Sequence, residues 1–312
     1  MKRLRIGLLG CGNVGGGLVR LVAGERERIR ARFGIELQIG RILVRDRVKP
    51  RPGIDPRLLT TSALDVLDSD CDLVVEAIGG VHAAGSFVRR AIARGRNVVT
   101  ANKALLAAAG GDLFAAARRQ RVTIGFEASV CGGVPVIGAL RRGLAGDTIE
   151  NLRGILNGTS NYVLCRMEEG LSFADAVKRA QENGFAEADP ALDVSGEDAM
   201  QKLKILAGLA FDEPVRKVSV IGIDKAAASR RSPEFVTRQV AEARRVAGGI
   251  ELTVEPRRLP VSDPLARVVD EQNAVVIRGR AVGEVWFSGR GAGSLPTAAA
   301  VLSDVLACAV AA

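Results

Sequence analysis

Leu4 to Leu9 read LRIGLL, and Gly10-Cys11-Gly12-Asn13-Val14-Gly15 follow at once, before a helical stretch that runs to about Phe33. An apolar run, a glycine turn and a helix in that order predict the opening of a doubly wound α/β domain that binds a dinucleotide. The GxGxxG pattern alone is weak, because glycine turns occur in many folds; the strand before it and the helix after it make it specific. Gly10 permits the tight turn, Gly12 lets the backbone approach a pyrophosphate and Gly15 allows close helix packing, while the free amides of the helix start, at Asn13 and Val14, face the anion. The alternative is a purely structural glycine turn.

Working outward, apolar runs at Ile35 to Val44, Cys71 to Ile78 and Asn97 to Thr100 alternate with helical patterns, the clearest from Ala84 to Arg94. This alternation predicts an α/β fold with an N-terminal Rossmann-type, doubly wound parallel sheet. After Val122 to Phe126, small residues, glycine and proline fill Ser129 to Gly138, and strict alternation ends. We therefore expect a nucleotide-binding domain over 1–128, completed by a glycine-rich tail and helix at 290–312, and a second α+β domain over 129–289. In the second domain the pattern predicts helices at Pro135 to Gly143, Ser160 to Glu169, Phe173 to Asn183 (capped by Ser172 and closed by Gly184) and from Ser195 to about Ala210. Strands are expected near Asn151 to Leu156, Val215 to Ile221, Ile250 to Val254, Asn273 to Arg278 and Glu284 to Phe287, in a mixed or antiparallel sheet.

Composition narrows the chemistry. The 312 residues are 47% hydrophobic and carry a formal charge of +9, but aromatics make up only 4% and the arginines are spread along the chain, which argues against nucleic acid. Where basic residues cluster, in ERERIRAR at 25–32, acids alternate with them, as on an exposed helix face. No run approaches the roughly 18 apolar residues of a membrane helix, and the N-terminus enters a strand at once, without a signal pattern, so a cytoplasmic protein with no membrane association is expected. The cysteines at 11, 71, 131, 165 and 308 form no CxxC pair and His82 is the one histidine, so neither zinc nor disulfides are expected. Acid–base chemistry then falls to lysine and carboxylate groups.

Three places supply such groups. Arg45-Asp46-Arg47 end the second strand, where an acid would bind a ribose and an arginine a 2′-phosphate; the flanking arginines favour NADP(H), with NAD(H) as the alternative. Lys103, after the Asn97 to Thr100 strand, is aimed at the cofactor or is an exposed loop lysine. Gly184 to Lys202 (GFAEADPALDVSGEDAMQK) contains Glu187, Asp189, Asp193, Glu197, Asp198 and Lys202. Asp198 and Lys202 stand four apart on one helix face, a spacing that most often means a surface ion pair, but apolar Leu203, Ile205 and Leu206 fit a partly buried lysine.

With these residues the chain resembles the homoserine dehydrogenase family. The likeness covers most of the sequence: GCGNVGGGL at 10–18, VVTANKALLA at 98–107, FEASVCGGVPVI at 126–137, GILNGTSNYVL at 154–164, the acid-rich stretch, and GRGAGSLPTAAAV at 289–301. The resemblance implies a nucleotide domain, a dimerisation and catalytic domain, a homodimer, and hydride transfer that interconverts L-homoserine and L-aspartate 4-semialdehyde. It implies Lys202 as the proton donor or acceptor, Lys103 on the same oxygen and the nicotinamide end, and Glu187, Asp193 and Asp198 on the substrate's polar groups, with Asp198 also orienting the lysine. It adds Gly79 and Gly291 to the cofactor contacts, and a monovalent cation, Na or K, on backbone carbonyls of Glu127, Val130, Gly132 and Val134. Many relatives carry an additional C-terminal regulatory domain; none is expected here, and so neither is feedback inhibition through one. The chain departs from the family in a shortened segment from Asp224 to Pro260 with Arg230-Arg231-Ser232-Pro233, and in His82 where a proline is expected, which we read as a turn residue near the cofactor. Rival readings are a dehydrogenase of another small amino or hydroxy acid and a catalytically silent cofactor-binding protein.

Overall fold

The computed structural model describes residues 1–225 and 232–311. The chain divides into two compact units, Met1–Gly132 with Gly293–Ala312, and Gly133–Ala292.

The first unit opens with β1 (Lys2–Leu9), α1 (Asn13–Gly24), α2 (Arg26–Phe33) and β2 (Ile35–Leu43). It continues through β3 (Leu59–Thr60), α3 (Ala63–Leu67), β4 (Leu73–Glu76), α4 (His82–Ala93), β5 (Asn97–Thr100), α5 (Lys103–Arg119) and β6 (Ile124–Gly125). The six strands are parallel in the order β3-β2-β1-β4-β5-β6. The order reverses at β1 and β4, and a parallel sheet presents its ligand crevice at the carboxyl ends beside such a reversal. Leu4, Ile6, Leu8 and Leu9 of β1 are buried, as are Leu73, Val74 and Val75 of β4, the near-continuous apolar run of a strand covered on both faces. The C-terminal helix Ser294–Ala311 packs on α1 in this unit. Gly17 makes that approach close, because a Cβ there would lie 2.8 Å from the Ser294 carbonyl and 2.9 Å from the Ala298 methyl.

Two expectations for this unit are corrected. The helix predicted to run unbroken to Phe33 is two helices, separated where Glu25 leaves helical geometry at φ −98°, ψ 9°. The second piece buries Ile29, and its Arg26 and Arg30 each lie 2.5 Å from the Glu36 carboxylate on β2, with Arg3 of β1 at 3.4 Å. The basic run is therefore an anchor for a buried acid as well as an exposed face. His82 is not a turn residue but the first residue of α4, and it is exposed.

The second unit holds α6 (Val136–Gly138), β7 (Ile149–Ile155), α7 (Gly158–Glu168), α8 (Phe173–Glu182), α9 (Ala191–Val194) and α10 (Glu197–Ala210). The rest of its sheet comes from β8 (Val215–Val220), β9 (Phe235–Val246), β10 (Gly249–Pro260), β11 (Gln272–Gly279) and β12 (Gly283–Arg290). The order is β12-β11-β7-β9-β10-β8, antiparallel throughout except for the β10–β8 pair. Ser172 caps α8 by accepting from the Asp175 amide, as its position predicts. The helix expected at 135–143 is a single α turn that widens into π geometry over Ala139–Gly143, where Gly138 weakens a regular helix.

The segment read as shortened contains a strand that escaped the pattern. β9 pairs with β10 residue for residue from Phe235↔Pro260 to Val246↔Gly249. Its sequence, FVTRQVAEARRV, hides the alternation because polar side chains occupy inward positions and are neutralised there. Arg238, 2% exposed, pairs with Glu168 at 3.0 Å and donates to the Val268 carbonyl at 2.9 Å. Glu242 meets Arg257 at 2.6 Å, and the exposed Arg244 covers the buried Glu251 of β10 at the same distance. Arg230 and Arg231 lie outside the described residues.

Glu36 makes the first unit sensitive to acid. Hydrogen bonds from Arg26 and then Arg30 hold its carboxyl down to about 2, from an ordinary 4.5. A folded-state value below the unfolded one contributes stability that is complete above the unfolded value and disappears as pH falls through the folded one. Glu36→Gln should therefore be less stable than the parent at pH 7, and the difference should close between about pH 4.5 and 2. Denaturant titrations of both proteins across that range check this; a difference that does not vary with pH would refute it.

Candidate active site

Within the first unit, the carboxyl ends of β1, β2 and β4 surround a cavity of about 1120 Å³. Gly10, Gly12 and Asn13 line it from the glycine turn, Arg45 from the end of β2, and Gly79 from the turn after β4. Gly12 is the N-cap of α1 and no side chain caps this helix, so its first amides remain available. A Cβ on Gly12 would meet nothing within 4 Å, so the residue faces open space on the cavity side of the turn. Gly15 serves packing instead, since its Cβ would overlap the Gly10 carbonyl and its absence brings α1 down onto the turn. Val14 is half-buried against the core instead of lining the cavity.

The cavity wall is basic. Arg20, Arg45, Lys49 and Arg51 line it, against one acid, Asp46. Asp46 accepts from the Val48 amide at 2.7 Å, which ties its carboxylate into the loop. Arg51 donates to the Asp46 and Lys49 carbonyls, each at 2.9 Å, and is fixed facing the cavity. Burial pushes the Cys11 thiol up, and the charges of Arg51 and Arg20 oppose that shift only in part. Open amides, room above Gly12 and basic walls together fit a polyanionic dinucleotide.

The turn at Gly79-Gly80, with both residues left-handed at φ 74° and 72°, is locked from below. The buried Glu76 carboxylate accepts from the Ile78 amide at 2.9 Å, the Gly79 amide at 3.1 Å and the Thr100 hydroxyl at 2.6 Å. Asn102 accepts from the Leu105 amide to cap α5 and donates to the Gly80 carbonyl at 2.7 Å. Neither Glu76 nor Asn102 stood out in the sequence, since each lies in an apolar strand or next to a more conspicuous lysine. Lys103 itself starts α5, half-buried, and is not among the cavity-lining residues.

The second unit gathers a polar cluster where β7 gives way to α7. Lys202 on α10 lies 2.6 Å from Asp198, one turn earlier, with the two side chains 14% and 8% exposed. Its ammonium also donates to the Leu156 carbonyl at 2.8 Å. Asn157, beside Leu156, donates to Asp193 and to Asp198, each at 2.7 Å, and accepts from the Ser160 amide at 2.7 Å. Asp193, Asp198 and Lys202 are thus brought together, and the pair is buried rather than a surface ion pair. Glu187 is not in this cluster: it is exposed, and its backbone carbonyl accepts from Gln181. Asn157 was missed as a site residue, though it lies within GILNGTSNYVL; in the structure it also caps α7.

Two sets of residues remain. Gly291 belongs to the second unit, where its missing Cβ makes room for Asn273. Glu127, Val130 and Gly132 fall in the first unit and Val134 in the second; the backbone runs through a 3₁₀ turn at Glu127–Ser129 and then left-handed Cys131 and Gly132. The Glu127 and Val134 carbonyls accept from the Val130 and Val136 amides, and a carbonyl oxygen with two lone pairs can take a second partner as well. Among the described residues no group of three or more His, Cys, Asp or Glu side chains could hold a metal ion, and no helix is long and apolar enough to cross a membrane.

Comparison with known proteins gives two matches in succession along the chain. Residues 10–127 match the family model for the homoserine dehydrogenase NAD binding domain, and residues 135–306 match the homoserine dehydrogenase model. The homoserine dehydrogenase of Bacillus subtilis (strain 168) is 41% identical over 317 residues, spanning 98% of this chain and 73% of the relative. The chain belongs to the homoserine dehydrogenase family.

Solved members of that family agree. A homoserine dehydrogenase from Thiobacillus denitrificans superposes with a TM-score of 0.94 at 41% identity, covering 99% of this chain and 74% of that one. A hyperthermophilic archaeal homoserine dehydrogenase, solved in complex with NADPH, gives 0.86 at 29% identity and covers 99% and 98% of the two chains. Neither rival reading of the sequence is favoured by these matches.

The open space at Gly12 leads to a clean test of the cavity. Gly12→Val should lower the melting temperature only by the cost of a poorer helix cap, because its Cβ meets no protein atom within 4 Å, yet weaken binding of reduced nicotinamide dinucleotide by roughly tenfold or more. Fluorescence titration alongside a thermal melt measures both, and unchanged affinity would remove the turn from the cofactor site.

Proposed function

We propose that the chain interconverts L-homoserine and L-aspartate 4-semialdehyde with a nicotinamide dinucleotide, in aspartate-family biosynthesis leading to threonine and methionine. The observation that carries this reading is the buried Lys202–Asp198 pair at 2.6 Å, in a chain whose family acts as homoserine dehydrogenases. When bound, the nicotinamide accepts or supplies the hydride. Lys202 does the proton work: as the neutral amine it removes the homoserine hydroxyl proton in oxidation, and as the ammonium it returns that proton to the developing alkoxide in reduction. Asp198 orients the amine, and with Asp193 and Glu187 it binds the substrate's polar groups. Lys103 steadies the same oxygen and the nicotinamide end.

Gly10, Gly12, Asn13, Gly79 and Gly291 contact the cofactor, and Val14 and Gly15 hold the turn that receives it, as part of a nucleotide-binding domain over 1–128 and 290–312. Arg45 gives a preference for NADP(H) over NAD(H), a choice supported by the basic wall and by Asp46 being tied to Val48. A Na or K ion is held by backbone carbonyls of Glu127, Val130, Gly132 and Val134. The domain over 129–289 carries the substrate site and forms a homodimer, and the protein works in the cytoplasm.

Two substitutions test these roles. Lys202→Met should cut turnover by roughly a thousandfold or more while cofactor affinity stays near the parent's, since general acid–base groups are worth about 10²–10⁴. Near-parent rates in the reduced-nicotinamide absorbance assay would remove Lys202 from the mechanism. Arg45→Ala should weaken NADPH binding by roughly tenfold while leaving NADH almost unaffected, the loss of one charge-assisted phosphate contact; equal losses for both would locate the preference elsewhere.

A further inference from the structure

The geometry points to Asn157 as a positioning residue for proton transfer, acting through Asp198 on Lys202. The inference rests on the reading of Lys202 as the proton carrier. Asn157 is 4% exposed and its side-chain amide is fully engaged: both hydrogens of Nδ2 go to carboxylates, one to Asp193 and one to Asp198, and Oδ1 accepts from the Ser160 amide. This arrangement fixes the amide's orientation. Exchanging its oxygen and nitrogen would set an oxygen against two carboxylates and an NH₂ group against an amide hydrogen.

Two carboxylates converging on one point repel each other unless something is donated to both. A cationic donor would do so by cancelling their charge. Asn157 donates to both without adding charge, so the negative potential of the pair remains for an ammonium group, whether that of Lys202 or of an amino-acid substrate. The same Oδ2 of Asp198 that accepts from Asn157 at 2.7 Å faces Lys202 at 2.6 Å. When Lys202 gives up its proton, the ammonium loses its charge and the carboxylate keeps its own, but the bond from Asn157 persists and keeps Asp198 in register for the return step. On the other side the Leu156 carbonyl, one residue before Asn157, keeps its bond to the lysine nitrogen. A single dipeptide at the end of β7 therefore grips both members of the pair through the catalytic cycle.

The cap and the bridge can be separated by substitution. Serine caps helices as well as asparagine does, so Asn157→Ser preserves the start of α7, but its hydroxyl has one hydrogen and is too short to reach both carboxylates. Asn157→Asp also keeps a capping oxygen and replaces the double donor by a third carboxylate. Asn157→Ser should melt within a few degrees of the parent, Asn157→Asp lower because its carboxylate faces two others, and both should bind NADPH normally. Their kcat for homoserine oxidation should fall roughly 10- to 100-fold with a raised KM for homoserine. The solvent deuterium effect on kcat should grow, because a misplaced lysine makes proton transfer limiting. Parent-like kcat and deuterium effect in both variants would overturn the proposal. So would activity lost only in step with melting temperature and cofactor affinity, which would leave Asn157 a helix cap. A parent without homoserine-dependent turnover, or a Lys202→Met variant with full activity, would instead overturn the underlying reading, and the proposal with it.

Discussion

All six strands of the first unit run the same way, so every loop that follows a strand emerges on one edge of the sheet. That constraint decides where chemistry can occur. The Gly10 turn after β1, the Arg45 loop after β2 and the Gly79 turn after β4 are far apart in sequence, and parallel pairing alone brings them to one rim. Helix α1 then has to lie low over its own turn, which is why Gly15 sits under the Gly10 carbonyl, and close to the C-terminal helix, which is why Gly17 faces Ser294 and Ala298. Glu76 and Asn102 finish the rim from inside by holding the Gly79-Gly80 turn with side chains that never reach the cavity surface.

The second unit solves a different problem, that of placing charge in an interior. Glu168 and Arg238 are both buried and compensate each other, with the spare donors of Arg238 directed at backbone carbonyls. Such pairs seldom add much net stability, but losing one partner costs about 3–5 kcal/mol because the other is then stranded. The Lys202 cluster follows the same rule with one addition. A neutral amide, Asn157, mediates between two acids, so the cluster stays negatively biased instead of closing into a neutral knot.

How far the sequence could be read follows from these two solutions. The parallel sheet was legible because its strands are apolar on both faces and its glycines stand where the backbone must turn or approach, so LRIGLL, CDLVVEAI and GCGNVG each carry one message. Lys202 and Asp198 were legible as a pair because helical spacing places them on one face. β9 was not, since Arg238, Gln239 and Glu242 break the apolar alternation, and only the partners Glu168 and Arg257, distant in sequence, explain the two charged ones. The break at Glu25 was hidden for a similar reason: Arg26 and Arg30 read as surface charges until Glu36 appears beside them. Asn157 was obscured because the acids it bridges, Asp193 and Asp198, lie 36 and 41 residues further along the chain.

The first unit is closed by Ser294–Ala311, which packs on α1 and whose Ser294 accepts from Arg20 and donates to the Asn13 carbonyl at 2.5 Å. Unit two is thus an insertion between the body of unit one and its final helix. On the ribosome the order of events is then imposed by the chain. The glycine turn is made before the helix against which α1 rests, and the 160 residues of Gly133–Ala292 are made between the two. During synthesis the apolar side of α1 has to wait uncovered, while the inserted unit, continuous in sequence, is free to fold on its own schedule.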